Sequence, residues 1–186
     1  MSRVAGSDMA QQSCARFTTA EFSHMAASGA FDDMKVELVK GGLERVNFPK
    51  SRHSIRQTQL LFALTRAIDG TTLKATAEIG IDLGNDTVRG CDVAILRAVP
   101  EQDRWMRPHE MLLVVEVAET TIRRDLGYKR VDYADAGIAQ YWVVDGDRSI
   151  VHVYADPVAG EYASVRTVRF GEALAVPGTE QSIVIL

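Results

Sequence analysis

One short stretch, residues 112–118, constrains the fold of this chain more than any other. Six of its seven residues are apolar, and the exception is Glu116. A continuous apolar run of this length predicts a strand that is buried on both faces of a sheet. A carboxylate in such a strand needs a cation or a hydrogen-bond donor beside it, because burying an unpaired charge is very costly. Glu116 therefore belongs either to a buried salt bridge with a nearby arginine or to a functional site.

The composition is typical of a folded globular protein. The chain has 186 residues, of which 46% are hydrophobic and 25% charged, and its formal net charge is −4. A chain of this length is near the size of one ordinary domain and can bury a sizeable core. The acidic balance argues against a protein that coats nucleic acid, but it is compatible with an enzyme that has one local basic face.

The cysteines and the apolar segments indicate neither a zinc site, nor a disulfide framework, nor a membrane protein. Cys14 and Cys91 lack the spacing of metal ligands. Polar residues interrupt the first twenty positions, and no later run reaches the roughly 20 apolar residues of a membrane span. We therefore expect a reduced, cytoplasmic compartment and no membrane partner.

A tail, a short helix and a hairpin are predicted first. Residues 1–16 are small and polar without periodicity, which predicts a mobile tail. A helix is expected to begin at Thr18 or Thr19. Two extended runs joined by Gly41-Gly42 then form a β-hairpin, in which both glycines supply positive φ. Glu37 lies in its first strand and faces either solvent or a site.

A longer helix follows the hairpin. It is predicted to begin with Ser51 as its cap and to run to about Ile68. His53 falls in its first turn, where a histidine is more often a surface or capping side chain than a catalytic one. The apolar stripe of this helix is expected to consist of Ile55, Leu60, Leu61, Leu64 and Ile68.

The second half alternates strands with one helix. Strands are predicted over residues 72–81, 91–96, 112–118 and 140–145, with Asp92 at the start of the second. Asp125 is expected to cap a helix that ends before Gly137, with Lys129 and Tyr133 (or Asp132) on the same side as Asp125. A strand, a helix and a strand at this spacing form a crossover that makes the two strands parallel.

An antiparallel meander is predicted at the C-terminal end. Its turns are expected at Asp156-Pro157 and Ala159-Gly160, and a short strand is expected after residue 182. The chain has neither internal repeats nor a linker, so we expect one domain over residues 17–186. Exposed apolar strands in the meander are compatible with a homodimer.

Four ionisable residues are candidates for chemistry, namely Glu37, Asp92, Glu116 and Lys129. Magnesium takes oxygen ligands, usually one or two carboxylates with waters and phosphates. Asp92 and Glu116 on neighbouring strands can converge on one ion, and Lys129 can place a positive charge beside it. The alternative is that Asp92 caps a turn, Lys129 pairs with Asp125 on an exposed helix, and Glu37 faces water.

Several blocks of sequence occur in a fixed order along the chain. They are Thr18-Thr19-Ala20-Glu21-Phe22, Val36-Glu37-Leu38-Val39-Lys40-Gly41-Gly42, His53, Arg89-Gly90-Cys91-Asp92-Val93, Leu113-Val114-Val115-Glu116-Val117, Arg124-Asp125-Leu126-Gly127-Tyr128-Lys129-Arg130 with Tyr133, and Gly137-Ile138-Ala139-Gln140-Tyr141-Trp142-Val143-Val144-Asp145. In this order they resemble the Uma-two family of restriction endonucleases, within the PD-(D/E)XK nuclease superfamily. The resemblance covers nearly the whole chain.

The resemblance implies a fold and an activity. The fold is the restriction-endonuclease-like α/β architecture, a mixed sheet with a parallel centre flanked by helices, with antiparallel hairpins added. The activity is magnesium-dependent hydrolysis of DNA phosphodiester bonds, with manganese as the alternative ion. DNA is then the expected substrate.

The resemblance also implies roles for particular residues. Asp92 and Glu116 correspond to metal-binding acids, and Glu37 to a further acid expected to bind the metal. Lys129 stands in for the superfamily lysine, whose usual strand position is occupied here by Ala118. The supporting residues are His53, Asp125 and Tyr133.

Three departures from the family pattern remove no proposed ligand. Cys91 replaces a proline, Ala118-Glu119-Thr120 replaces a Ser-Pro-Ser, and Gln140 replaces a glutamate. A function of another class stays open, namely a catalytically silent binding or assembly module with the same fold. The acidic net charge and the lack of a separate DNA-reading domain favour this alternative slightly, whereas the acid-acid-lysine set favours the enzyme.

Overall fold

The computed structural model describes residues 14–119 and 122–186. Most of the predicted tail, residues 1–13, therefore lies outside the described residues. Helix α1 (Thr19–Ala27) begins after Thr18, whose hydroxyl accepts a hydrogen bond from the Glu21 N–H. The Glu21 carboxylate accepts one from the Thr18 N–H in return. This capping box satisfies two backbone donors at once and confirms the predicted helix start.

Strands β1 (Lys35–Val39) and β2 (Gly42–Val46) form the predicted antiparallel hairpin. The two turn residues with positive φ are Lys40 and Gly41, whereas Gly42 already pairs with Val39 in the ladder. The prediction that both glycines supply positive φ was therefore wrong for Gly42. A two-residue hairpin turn of this type requires a positive φ only at its two central residues.

Helix α2 (Ser51–Ala67) has Lys50 rather than the predicted Ser51 at its N-cap. Leu60 and Leu64 are buried as predicted, but Ile55 is 59% exposed. The buried side of the helix passes through Gln57, because its first turns cover polar groups of the sheet and not the apolar core. The apolar stripe therefore failed to predict which residues are buried in the N-terminal half of this helix.

Strands β3 (Lys74–Gly84) and β4 (Thr87–Leu96) form a long hairpin that turns at Asn85 and Asp86. The prediction that Asp92 begins its strand was wrong, because β4 starts five residues earlier. The start of β4 was not recognised in the sequence because its side chains are partly polar. Arg89, for example, is buried there by ion pairing.

Strand β4 changes its partner along one of its two edges. Strand β3 takes the other edge throughout, from Val88 to Leu96. On the edge that changes, β1 pairs at Val88, and β5 (Met111–Ala118) pairs from Val93 onward. Strands β1 and β5 must therefore separate beside residues 89–92, which opens a gap in the sheet.

A helical connection leads from β5 to strand β6 (Gln140–Asp145), and these two strands are parallel. The connection, helix α3, consists of an α-helical turn (Ile122–Arg124), a π-helical turn (Asp125–Lys129) and an α-helical part (Arg130–Asp135). Asp125 is buried inside it, so the prediction that Asp125 is the N-cap was wrong. Gly137 has a φ of 78° just past its end, as predicted.

Strands β7 (Ile150–Val158) and β8 (Glu161–Arg169) complete the large sheet as the predicted meander. The turn lies at Ala159-Gly160, but the second predicted turn, at Asp156-Pro157, was wrong because β7 continues through it. Pro157 lies beyond Ala155, the last residue of β7 that pairs with β6, so its missing N–H interrupts no ladder there. Short strands β9 (Ala173–Ala175) and β10 (Ser182–Val184) form a separate pair.

The large sheet has the order β2-β1-β4-β5-β6-β7-β8, with β3 beside β4. This mixed sheet with a parallel β5–β6 centre confirms the predicted fold class. Each face of the large sheet carries an apolar cluster. Helix α2 packs into one of these clusters, and helix α3 packs into the other. We retain one domain over residues 17–186 as a proposal. Among the described residues, no helix has the length and apolarity to cross a bilayer.

Candidate active site

A cleft of about 630 Å³ opens where β1 and β5 separate along β4. Each of these strands contributes one acid to it, Glu37 from β1, Asp92 from β4 and Glu116 from β5. Lys129 of α3 and His53 of α2 also line it. The change of partner along β4 thus brings five of the seven candidate residues together.

Asp92 lies directly beside Glu116 in the sheet. The β4–β5 register ends at Val93 and Val115, and continuing it by one pair places Asp92 opposite Glu116. The Asp92 Oδ2 accepts a hydrogen bond of 2.6 Å from the N–H of Val117. The alternative in which Asp92 caps a turn was therefore wrong, because the carboxylate satisfies a backbone donor of the neighbouring strand.

His53 reaches Asp92 from the first turn of α2. Its Nε2 lies 3.2 Å from the Asp92 Oδ1. The hydrogen bond to Asp92 raises the pKa of His53 above its ordinary value, against the opposing effect of partial burial. The expectation that His53 is a surface or capping side chain was wrong, because α2 packs across the sheet at this point.

Glu116 is 3% exposed and has two donors on one oxygen. The Lys129 ammonium lies 2.7 Å from its Oε1, and the Tyr133 hydroxyl donates to the same atom at 3.0 Å. The arginine expected as its buried partner is therefore replaced by a lysine and a tyrosine. Burial raises the pKa of Glu116 despite the opposing charge of Lys129, and the carboxylate of Asp92 raises it further.

Lys129 is 2% exposed, and its ammonium contacts two acids and a backbone carbonyl of this site. Its ammonium donates to the Gly90 carbonyl at 2.8 Å and lies 3.3 Å from the Glu37 Oε1. The carboxylates of Glu116 and Glu37 outweigh the effect of burial and raise the pKa of Lys129, so that it stays protonated. The alternative of an exposed pair with Asp125 was wrong.

Glu37 is held by an arginine that sequence analysis left without a role. Arg89 lies 3.0 Å from the Glu37 Oε2, and its other side contacts Asp132 at 2.6 Å. Burial alone would raise the pKa of Glu37, but the charges of Lys129 and Arg89 lower it. The alternative in which Glu37 faces water was wrong. An arginine three residues before Asp92 in the same strand was a usable signal, since a buried guanidinium requires carboxylate partners.

Sequence analysis also missed Glu78, which lines the cleft, and Gln57, which holds it in place. Glu78 lies between Ala77 and Ile79, which pair with Val93 and Cys91 on either side of Asp92, and it has a φ of 56°. The Gln57 amide donates to the Glu78 Oε1 at 3.0 Å and to the Asp92 carbonyl at 2.9 Å. No local sequence signal marks either residue, because Glu78 follows the ordinary alternation of an exposed strand.

Arg124, also missed, adds a positive charge to the cleft from α3. Burial lowers the pKa of Arg124, but the carboxylates of Asp125, Glu37 and Glu116 outweigh it and raise that pKa. Asp125 lies behind the cleft wall, where its backbone carbonyl accepts from the Tyr141 hydroxyl at 3.0 Å. Asp125 and Tyr133 thus support the wall from behind.

The acids suit a hard divalent cation, although they form a pair and not a cage. Within residues 14–119 and 122–186, no three His, Cys, Asp or Glu side chains are arranged to hold a metal ion. Magnesium commonly uses only one or two carboxylates and completes its shell with waters and substrate phosphates. The carboxylates of Asp92 and Glu116, which line one open cleft, fit that mode of binding.

Comparisons with known proteins agree with this architecture. The chain matches the model of the Uma2 family, described as "Putative restriction endonuclease", over residues 19–185. None of the curated proteins matches it. A crystal structure of a putative nuclease belonging to DUF820 from Anabaena variabilis ATCC 29413 is similar, with a TM-score of 0.69 and 16% identity over 91% of this chain and 95% of that chain. At this identity the similarity shows a shared fold.

Proposed function

We propose that this chain, which belongs to the Uma2 restriction-endonuclease family, is a nuclease that hydrolyses DNA phosphodiester bonds with the help of a divalent metal ion. One observation carries the proposal. The carboxylates of Asp92 and Glu116 line the same cleft as the buried ammonium of Lys129. Two acids and a lysine provide the ligands and the positive charge that phosphodiester hydrolysis requires.

Asp92 and Glu116 would hold the ion, which we expect to be magnesium, with manganese as the alternative. The metal would supply a Lewis acid that polarises the phosphate and lowers the pKa of water. Glu37 was expected to be a further metal ligand. Its contacts with Arg89, Gly90 and Lys129 support a role in positioning the lysine.

Lys129 would stabilise negative charge that develops on the phosphate. Its ammonium is held by Glu116, Glu37 and the Gly90 carbonyl, so little rearrangement is needed when a substrate binds. A preorganised charge in a partly dry site stabilises a transition state far more than the same charge in water. The buried position of Lys129 supports this role.

His53 and Tyr133 would orient the two acids. His53 contacts the Asp92 Oδ1, and Tyr133 donates to the Glu116 Oε1. The Asp92 Oδ2 accepts from the Val117 N–H, whereas the contacts of Glu116 with Tyr133 and Lys129 both use its Oε1. Hydrogen bonds of this kind around ligand carboxylates commonly set their orientation and basicity.

The test is DNA cleavage by the wild type and by Glu116→Gln, with magnesium or manganese and with duplex and single-stranded substrates. We expect the variant to cut DNA about 100-fold or more slowly, the size of effect seen when one group that stabilises charge is removed. Titration calorimetry should show heat of metal binding for the wild type and none for the variant. Glu161→Gln is the matched control, because Glu161 pairs with Arg130 outside the cleft.

Equal cleavage by wild type and Glu116→Gln would contradict the proposal, since the activity would then come from elsewhere. The alternative, a silent module with this fold, predicts neither cleavage nor metal binding by the wild type. It also predicts that Glu116→Gln keeps the assembly state of the wild type.

The expected homodimer and the cytoplasmic location stay predictions. Strand β8 forms one end of the large sheet, and Val158 and Val165 are exposed in this hairpin. Exposed apolar side chains at a sheet edge support pairing with a second copy. Sedimentation velocity of the wild type and of Val165→Lys tests this, because a dimer through this edge should dissociate in the variant.

A further inference from the structure

Two chemically different sets of residues line the cleft. The acids, Lys129 and Arg124 form one, which we call the charged wall. The other, which we call the aromatic wall, consists of Phe22, Phe48, Trp105, Val36, Val46 and Ile79. The proposed hydrolysis uses only the charged wall, so the aromatic wall requires its own explanation.

Trp105 is fixed in place in the aromatic wall. Its indole N–H donates to the Ser23 hydroxyl at 2.8 Å, and its ring stacks on Phe22 with 5.7 Å between centroids. The ring also packs so closely on Gly80 that a Cβ there would lie 2.6 Å from it. The indole is thus preorganised, so little of its conformational entropy is lost when a ligand binds to it.

The backbone beside Trp105 is fixed as well. Met106 donates its N–H to the Gly80 carbonyl at 2.9 Å and accepts from the Asp82 N–H at 2.9 Å. This segment therefore runs along the free edge of β3. The tryptophan belongs to a segment that is held to the sheet by hydrogen bonds, so the aromatic wall is a built part of the cleft.

Phe48 stands at the same cleft but is 69% exposed. It lies in the connection between β2 and α2, outside the three apolar clusters of the core. Exposed aromatic rings beside a charged groove are the common means by which proteins bind unpaired nucleobases, because every base offers a flat face for stacking.

We propose that the aromatic wall binds an unpaired DNA base whose phosphate lies at the charged wall, so that the substrate is single-stranded or locally unpaired DNA. This inference rests on the proposed nuclease function. The cleft volume of about 630 Å³ falls in the range of pockets that enclose small ligands. A base within a duplex is stacked on both sides and reaches such a pocket only by leaving the stack, which is energetically costly.

Tryptophan fluorescence tests the inference without relying on activity. The chain has two tryptophans, and Trp142 is fully buried in the core. Quenching by DNA would therefore come from Trp105. The probes are an oligothymidylate of about eight nucleotides, an abasic strand of the same length and a blunt hairpin duplex. Each is added with magnesium, and each strand is sized afterwards to detect cleavage.

We expect the oligothymidylate to quench the emission, whereas the abasic strand and the duplex do not. Trp105→Phe should abolish the quenching. Phe48→Ala should bind the oligothymidylate about 5- to 150-fold more weakly, the effect of removing one stacking ring. Phe62→Ala is the matched control, because Phe62 is similarly exposed (67%) on α2 but does not line the cleft, and it should bind like the wild type.

Equal binding of the abasic strand and the oligothymidylate would overturn the inference, as would quenching by the duplex or no binding of any strand. These failures differ from a failure of the nuclease proposal. Cleavage of duplex DNA that depends on Glu116, without quenching by oligothymidylate, would refute the base site alone. Quenching without cleavage of any DNA would refute the nuclease and leave the base site.

Discussion

The Lys129 ammonium lies 2.7 Å from the Glu116 carboxylate, and both side chains are almost completely buried. The two residues come from different elements, the central strand β5 and the helix α3 that follows it. Their contact joins the most apolar strand of the protein to the wall of its cleft. It therefore affects stability and proposed chemistry together.

Removing the lysine should destabilise the protein. Lys129→Met leaves Glu116 as a buried carboxylate without its cation, which typically costs about 3–5 kcal/mol of unfolding free energy. Urea unfolding of Lys129→Met, Glu116→Gln and the double variant measures this. The double variant should lose less than the sum of the single losses, because the second substitution removes the unpaired partner. Strict additivity would show that the two residues do not interact.

The pKa of His53 should depend on Asp92. The hydrogen bond with Asp92 raises the pKa of His53 above its ordinary value of 6.5, so Asp92→Asn should lower this pKa. Histidine NMR signals followed against pH, with a chelator present, give the pKa in each protein. Glu161→Gln should leave the His53 titration unchanged, since Glu161 pairs with Arg130. Identical titration in wild type and Asp92→Asn would show that the two side chains do not meet in solution.

The same pair should make stability depend on pH. The folded-state pKa of His53 is raised, so its contact with Asp92 stabilises the protein fully when the pH is below the unfolded-state pKa of 6.5. This contribution to the unfolding free energy is lost as the pH rises through the folded-state pKa. The difference in unfolding free energy between wild type and Asp92→Asn should therefore shrink as the pH rises above 6.5. Chemical denaturation at several pH values checks this direction.

A second pH dependence should appear in acid. The Arg104 guanidinium, hydrogen-bonded to Glu110, lowers the pKa of that carboxyl to about 2. A lowered folded-state pKa stabilises the protein above the ordinary value of 4.5, and this contribution is lost as the pH falls toward 2. Glu110→Gln should therefore flatten the fall in unfolding free energy over this range. An unchanged acid profile would contradict the assignment.

Gly80 should tolerate no side chain. A Cβ at this position would lie 2.6 Å from the Trp105 ring, so Gly80→Ala should cost about 1–3 kcal/mol, as overpacking does. The displaced indole should emit at longer wavelength. Gly127→Ala is the matched control, because its Cβ would meet nothing within 4 Å, and alanine favours a helix by about 0.5–1 kcal/mol. Equal stability of the two variants would show that Trp105 does not pack on Gly80.

Sequence analysis was most successful where a pattern is local. The capping box at Thr18, the hairpin turn at Gly41 and the helix end at Gly137 each follow from a few neighbouring residues. It failed where polar side chains are buried. Ile55 was expected inside because it is apolar, whereas the helix instead buries Gln57, which donates to the backbone of β4.

The candidate site shows the same division. Motif resemblance indicated Asp92, Glu116 and Lys129, and the structure places all three in one cleft. It did not reveal Glu78 or Arg89, whose positions depend on how distant strands pair. No pattern within β3 marks Glu78, whereas Arg89 offered one signal, because a guanidinium buried in a strand requires carboxylate partners.

The sequence by itself determined the buried strand with its single acid, the parallel crossover after it and the family to which the chain belongs. These depend on apolar runs, caps and motifs, which act over short distances along the chain. Only the tertiary structure decided that β4 changes partner from β1 to β5, and so that a cleft opens where the acids converge. The contacts that hold this site join residues far apart along the chain, such as Glu37 with Arg89, and exist only once the sheet has formed.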